Sequence, residues 1–227
     1  IAHYLSRKYR IRGRAHDMKL PRIPPILTDI IQTGISAVDG ITFTTHTTCP
    51  ACGGSLAGYD VKRKQFAHLI VDNKEKTLYV SVKRFYCRNC NKLCYADEPF
   101  YPDTRIGSPI IDLCIALSMT MPANRVAAYL DVMGIIVNRT SCRLYIQNNC
   151  SYYVRNNLRY IETNGIFGIH LPRSVLSLST LATDPLEGSH VKEEDVLAAC
   201  GFPSAQQRVV NHPFPMKPLI KRDEKEY

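Results

Sequence analysis

The residues best suited to chemistry in this sequence are cysteines. There are nine in 227 residues. Four fall in two short repeats, Cys49-Pro50-Ala51-Cys52 and Cys87-Arg88-Asn89-Cys90. A Cys-x-x-Cys turn presents two sulfurs on one side of a tight knuckle. Two knuckles complete the tetrahedral thiolate shell that zinc prefers. The second cysteine of such a turn is commonly followed by a residue at positive φ, which glycine adopts freely and asparagine tolerates. Gly53 and Gly54 follow the first pair and Asn91 the second. The expected metal is therefore Zn2+ on Cys49, Cys52, Cys87 and Cys90. Four thiolates leave no open position for water, so its expected role is structural. Cys94 and His46 are spare candidate ligands, although Cys94 also suits packing under the ribbon and His46 a surface position. Free thiols or a redox pair would use the same residues. Iron is a third reading, because Cys94 extends the second pair, but the spacing matches no four-cysteine cluster run. Cys114, Cys142, Cys150 and Cys200 stand among apolar neighbours and read as core.

A hairpin must carry the knuckles. Phe66–Val71 reads as a strand, Asp72–Lys76 as a polar turn and Thr77–Tyr86 as the returning strand, running directly into Cys87. Such a ribbon is too small to bury much surface alone. Metal is expected to supply much of its folding free energy.

A second set of residues suggests nucleic acid. The formal net charge is +9, from 29 Lys plus Arg against 20 Asp plus Glu, which favours anionic partners. Three helices are expected after the ribbon. One starts at Ser108, read as the N-cap, with Pro109 in the first turn, and ends at Pro122. Another spans 123–133 and stops at Gly134. The third follows Asn138, a good N-cap. No acidic residue lies between Asp131 and Glu162. On the third helix Arg139, Arg143 and Gln147 share one face, and Cys142, Ile146, Cys150, Tyr153 and Leu158 form an apolar stripe. One buried face and one face of long donors is the arrangement of a DNA-reading helix. Asn138, Arg139, Thr140 and Ser141 would approach closest, where free N–H groups favour phosphate. The same pattern also suits an ordinary amphipathic helix with a basic outer face. On the hairpin, Lys62, Arg63, Lys64, Lys83 and Arg84 add positive charge; Lys83 and Arg84 join the expected DNA contacts.

The expected fold class is α+β: a small β zinc ribbon, then a three-helix helix-turn-helix domain, then a C-terminal region of weaker pattern. The expected boundaries are a basic arm and linker over 1–45, ribbon over 46–104, helix-turn-helix over 105–161 and C-terminal region over 162–227. The arm carries Arg7, Lys8, Arg10, Arg12, Arg14, Lys19 and Arg22, with Pro21, Pro24 and Pro25 read as linker punctuation. In the last region a strand at Ile166–Leu171 and a short helix at Val191–Cys200 closed by Gly201 are expected. No apolar run approaches the roughly 20 residues of a membrane span. No signal-peptide pattern opens the chain. The expectation is a cytoplasmic, nucleoid-associated protein without membrane or small-molecule ligands, with duplex DNA as partner and a homodimer as one assembly. The first residue is not Met, which points to a fragment or a processed chain.

Taken in order, the stretches Thr48–Gly54, Val82–Cys90, Pro99–Leu113, Arg125–Ile135 and Asn138–Ser141 resemble the N-terminal half of transposase-like proteins of archaeal insertion sequences. The resemblance covers about residues 46–161. It implies a zinc ribbon and helix-turn-helix that together recognise the ends of a mobile element. In full transposases of this kind an RNase H-like domain with three carboxylates for magnesium follows. Such a domain needs on the order of 100 residues or more, and residues 162–227 are too few. The run Glu193-Glu194-Asp195 reads instead as the acidic first turn of a helix. The expected function is zinc-dependent DNA binding without strand transfer. The alternatives are a fragment of an active transposase and a ribbon module for transcription or RNA partners.

Overall fold

The computed structural model describes residues 23–46, 48–157, 165–166, 169–183 and 191–202. The architecture is mixed α/β, with six helices and a four-stranded sheet among the described residues, besides a two-stranded pair. The arm up to Arg22, together with Leu158 and Arg159, lies outside them.

The first element corrects the linker reading within 23–45. Pro24 and Pro25 stand at the N-cap and first turn of α1 (Pro25–Ser36), where a missing N–H costs nothing. Leu27, Ile31 and Ile35 recur every four residues and are fully buried. Gly34 lies so close to α5 (Arg173–Thr183) that a Cβ there would meet the Ser179 backbone nitrogen at 2.7 Å. The prolines start a core helix.

β1 (Thr42–Phe43) pairs parallel with β3 (Lys74–Cys87), and β2 (Leu56–Val71) pairs antiparallel with β3 along its length. β4 (Leu93–Tyr95) pairs with the far end of β3. The hairpin is longer and its turn tighter than expected. Val71 faces Lys74, so only Asp72 and Asn73 turn the chain, both at positive φ of 51° and 60°. This two-residue geometry matches the right-handed twist of the strands. Phe66, Ala67, Leu69, Leu78, Val80 and Val82 are buried near the turn, whereas residues 59–63 of β2 are exposed on both faces. The turn end of the hairpin is thus part of the main core, and Phe85 and Leu56, near the cysteines, also meet it.

The helices follow as α2 (Ser108–Ser118), α3 (Ala123–Val132) and α4 (Arg139–Asn157). The α2 N-cap is Gly107, one residue before the expected Ser108, and the Ser108 side chain is buried. The Gly107 N–H donates to the Phe66 carbonyl at 2.8 Å, which anchors the start of α2 on the sheet. α2 is buried on all sides from Ser108 to Leu117. Its Asp112 accepts hydrogen bonds from the Tyr101 and Ser174 hydroxyls, both at 2.6 Å, as a buried carboxylate requires.

The C-terminal region also belongs to the core. Residues Gly165–Ile166 and Ile169–His170 form two paired strands, β5 and β6, where one strand was expected. α5 packs on α1, and α6 (Glu193–Ala199) adds Val196 and Leu197 to the same cluster. Ribbon root, helical unit and C-terminal helices share one hydrophobic cluster.

Candidate metal centre and the basic helix face

The metal centre is built by register. Leu56 pairs with Cys87, so the chain leaving the first knuckle enters the sheet opposite the second. Each knuckle closes on its own backbone. The Gly53 N–H donates to the Cys49 carbonyl at 2.8 Å, and the Asn91 N–H to the Cys87 carbonyl at 3.0 Å. Gly53 at φ 71° and Asn91 at φ 56° occupy the positions where the turn demands a left-handed residue. Gly54 lies close under Asn89: a Cβ would come within 2.7 Å of its side-chain amide, which would have to shift.

This brings the sulfurs of Cys49, Cys52, Cys87 and Cys90 to within 4.8 Å of one another, close enough to hold a metal ion. Cys49 and Cys90 Sγ are 3.6 Å apart, and Cys52 and Cys87 Sγ 3.5 Å. A tetrahedral tetrathiolate with metal–sulfur bonds of about 2.3 Å has edges of about 3.8 Å. The cluster therefore fits a zinc-sized ion. The backbone prepares the first thiol of each knuckle for ligation. The Ala51 N–H, with that of Cys52 and the neighbouring thiols, brings Cys49 down to about 6 against the opposing effect of burial. The Cys90 and Asn89 N–H groups lower Cys87 in the same way. The Gly54 amide also favours the Cys52 thiolate. Hydrogen bonding with Cys87 and Cys90, with burial, outweighs it and pushes Cys52 up to about 12. Such neighbouring thiols cannot all ionise without a cation between them.

Cys94 is buried and its Sγ lies 3.8 Å from Cys49 Sγ. It borders the cluster without belonging to the mutually close four. His46 stands apart: its side chain is only 13% exposed, 3.7 Å from Asp97 and tilted against Phe85, so it is neither a surface histidine nor a member of the cluster.

The expected reading helix is α4. Its start is capped as anticipated, with the Thr140 N–H donating to Asn138 Oδ1 at 2.8 Å. Arg139, Thr140, Arg143 and Gln147 are exposed, and Ser141 is half-buried. Arg143 donates to Asn124 Oδ1 of α3 at a long 3.4 Å. The buried stripe differs in phase from expectation. Cys142, Asn149 and Tyr153 are buried and Ile146 half-buried, whereas Cys150 is exposed. Asn149 takes the place assigned to Cys150 because its amide bonds back to the Tyr145 carbonyl at 3.2 Å, satisfying one of its polar groups within the helix. Cys114, Cys142 and Cys200 are buried as expected.

The connection from α3 to α4 is itself positioned by the sheet. Ile135 bridges Leu69 of β2, the Ile70 N–H donates to the Gly134 carbonyl at 2.7 Å, and the Ile136 N–H to the His68 carbonyl at 2.9 Å. Gln32 of α1 locks this junction, donating to the Ile70 carbonyl at 3.1 Å and the Met133 carbonyl at 2.8 Å. Gln32 was not anticipated. A lone Gln in an apolar helix is its only trace in the sequence.

Of the hairpin cations Lys62, Arg63, Lys64, Lys83 and Arg84, two meet carboxylates. Arg84 makes a paired contact with the Asp60 carboxylate, which raises the guanidinium and lowers the carboxyl. Lys64 is held by Glu98 at 2.7 Å. Arg84 is therefore already engaged by a carboxylate. All five also lie over rings: Arg63 over Tyr79 at 3.8 Å, Lys64 over Phe100 at 4.3 Å, Lys83 over Phe85 at 5.3 Å, Arg84 over Tyr59 at 5.6 Å and Lys62 over Tyr95 at 5.9 Å.

The carboxylates of α6 are placed as a helix start. Glu193, Glu194 and Asp195 form its first turn. Glu193 accepts from the Thr44 backbone N–H and from the hydroxyls of Thr44, at 3.0 Å, and Thr45, at 2.6 Å, so it ties α6 to the end of strand β1.

No family model, no curated protein and no solved structure matches this chain. No helix among the described residues is long and apolar enough to cross a membrane.

Proposed function

We propose that this chain is a DNA-binding protein whose ribbon is held by one structural Zn2+. The observation that carries the DNA reading is the outer face of α4. Arg139, Arg143 and Gln147 are exposed there, spaced over about 12 Å of helix. No acidic residue occurs in α4 to repel a phosphate. Asn138, Thr140 and Ser141 stand at its N-terminus, where free N–H groups favour anions. Arg or Lys to guanine and Gln to adenine are the pairings such a face would offer in a major groove.

Zinc is the metal proposed because four thiolates form a soft, closed, tetrahedral set. Cys49, Cys52, Cys87 and Cys90 would hold it, and it would fix the two knuckles against each other. The proposed relationship is to transposase-like proteins of archaeal insertion sequences, without strand transfer. The Glu193 contacts favour a structural role for the acidic run over a catalytic one.

The test is binding to a generic duplex, titrated across salt. Multi-phosphate binding gives a steep loss of affinity with salt. Absence of binding even at low salt removes this reading.

A ribbon that contacts RNA or protein is the second reading. It is favoured by Tyr59 and Val61, 64% and 56% exposed on the edge strand β2. Absence of duplex binding, together with binding to single-stranded RNA that is lost in Tyr59→Ala, would favour it.

A further inference from the structure

A fifth thiol lies beside the four-thiol cluster. The pairing of Phe85 with Cys94 places β4 along the end of the ribbon, and it delivers Cys94 Sγ to 3.8 Å from Cys49 Sγ. That separation equals about one edge of a zinc tetrathiolate. Cys49, Cys87 and Cys94 are buried together, with Cys90 packed against them. Cys52 is the exposed member of the metal-ligand set and lies outside this packed group. The most solvent-accessible ligand is thus the one most open to attack, and the spare thiol is sheltered.

We infer that Cys94 is a reserve ligand that enters the metal shell when Cys52 is lost to alkylation or to oxidation by a peroxide. The inference rests on the proposed metal site. In the resting protein Cys94 keeps its proton and packs against Cys49. When the Cys52 sulfur is capped, its bond to the metal breaks and three thiolates remain. Cys94 then forms the fourth metal–sulfur bond, and its proton passes to solvent. No electron transfer accompanies the exchange. The only oxidation is that of the Cys52 sulfur by the peroxide, which is reduced to water.

The test uses the full chain loaded with Co2+, whose thiolate charge-transfer absorption scales with the number of sulfur ligands. Cys52→Ser should bind one Co2+ with the four-thiolate intensity of the unmodified protein. Cys52→Ser/Cys94→Ser should fall to the three-thiolate intensity and bind severalfold more weakly. A Cys52→Ser spectrum already at three thiolates, and unchanged by removing Cys94, overturns the inference.

A second measurement does not depend on Cys52→Ser folding. The zinc-loaded protein and its Cys94→Ser variant are treated with equimolar hydrogen peroxide, and zinc release is followed with a chromophoric chelator. Release should be severalfold faster from Cys94→Ser. Equal rates overturn the inference. Failure of the unmodified protein to take up any metal would instead remove the metal site itself.

Discussion

Replacing Gly53 separates backbone strain from every other influence on the metal centre. Gly53 sits at φ 71°, and a Cβ added there would have no neighbour within 4 Å. An alanine at this position therefore meets no steric contact and feels only the left-handed backbone. That conformation costs an L-residue roughly 1–2 kcal/mol. Asparagine tolerates it better, and the second knuckle already uses Asn91 at the equivalent place, at φ 56°. Knuckle folding is coupled to metal binding, so the strain should appear in the zinc affinity. Gly53→Ala should weaken zinc binding about 5- to 30-fold, taking about 1.4 kcal/mol per tenfold. Gly53→Asn should stay within about threefold of the unmodified protein. The assay is competition against a chelator of known affinity at fixed pH. Equal affinities for the Ala and Asn variants would refute the strain argument, and with it the knuckle as the element that organises the site.

Gly34→Ala should destabilise the protein by about 1–3 kcal/mol in urea unfolding, the usual cost of overpacking. Propensity alone predicts a gain of roughly 0.5–1 kcal/mol in the same helix. The new Cβ would lie 2.6–2.9 Å from Ser179 Oγ, N and Cα, so a measured gain would show that α1 and α5 do not cross as described. Arg139→Ala/Arg143→Ala should leave the unfolding midpoint within error and reduce the salt slope of duplex binding by about 1.8, or about 0.9 for each phosphate no longer neutralised. An unchanged slope would reassign the DNA contact away from α4. Acid should release the metal. Cys52 is raised to about 12, so ligation must displace its proton at neutral pH; Cys49 is lowered from its usual 9.0 to about 6, so below that value ligation must displace a second proton. Zinc affinity should therefore fall with pH and fall more steeply below about pH 6 in a chelator titration, and a slope unchanged through pH 6 would exclude Cys49 as a ligand. Chelation at neutral pH should raise amide exchange over residues 48–58 and 85–95 while α1–α6 stay protected; global unfolding would contradict this.

The local chemistry of the site was legible and its setting was not. Cys-x-x-Cys spacing, the glycine after one knuckle and the asparagine after the other are short-range signals, and the structure realises both turns. The α3 stop was equally legible, since Gly134 takes φ 72°. What failed were judgements that depend on distant partners. Pro24 and Pro25 suit a linker or a helix start equally, and only the packing of Leu27, Ile31 and Ile35 decides. α5 is built on Arg173-Ser-Val-Leu-Ser-Leu-Ser-Thr-Leu-Ala-Thr183, whose hydroxyl residues lower helix propensity. Its Ser179 hydroxyl is shared between the Val175 carbonyl of its own helix at 2.8 Å and the Ile30 carbonyl at 2.9 Å, a tertiary contact that no periodicity reveals. The phase of α4 slipped for a related reason. Polar Asn149 is buried and apolar-looking Cys150 is exposed, because the asparagine amide is satisfied by its own helix.

The shared core changes what the metal has to do. A free-standing ribbon would depend on zinc for its fold. Here Phe66, Leu69, Leu78, Val80 and Val82 anchor the hairpin root among the helices. The same stretch of β2 holds the start of α2 through Phe66 and the α3–α4 connection through His68 and Ile70. The basic face of α4 is therefore positioned by the hydrophobic root, and a metal on the four cysteines would order the knuckles. Removing the metal and disabling the α4 face are then separable perturbations. A chelated protein should keep that part of its affinity carried by Arg139 and Arg143, and forfeit only what the knuckles and the outer hairpin contribute.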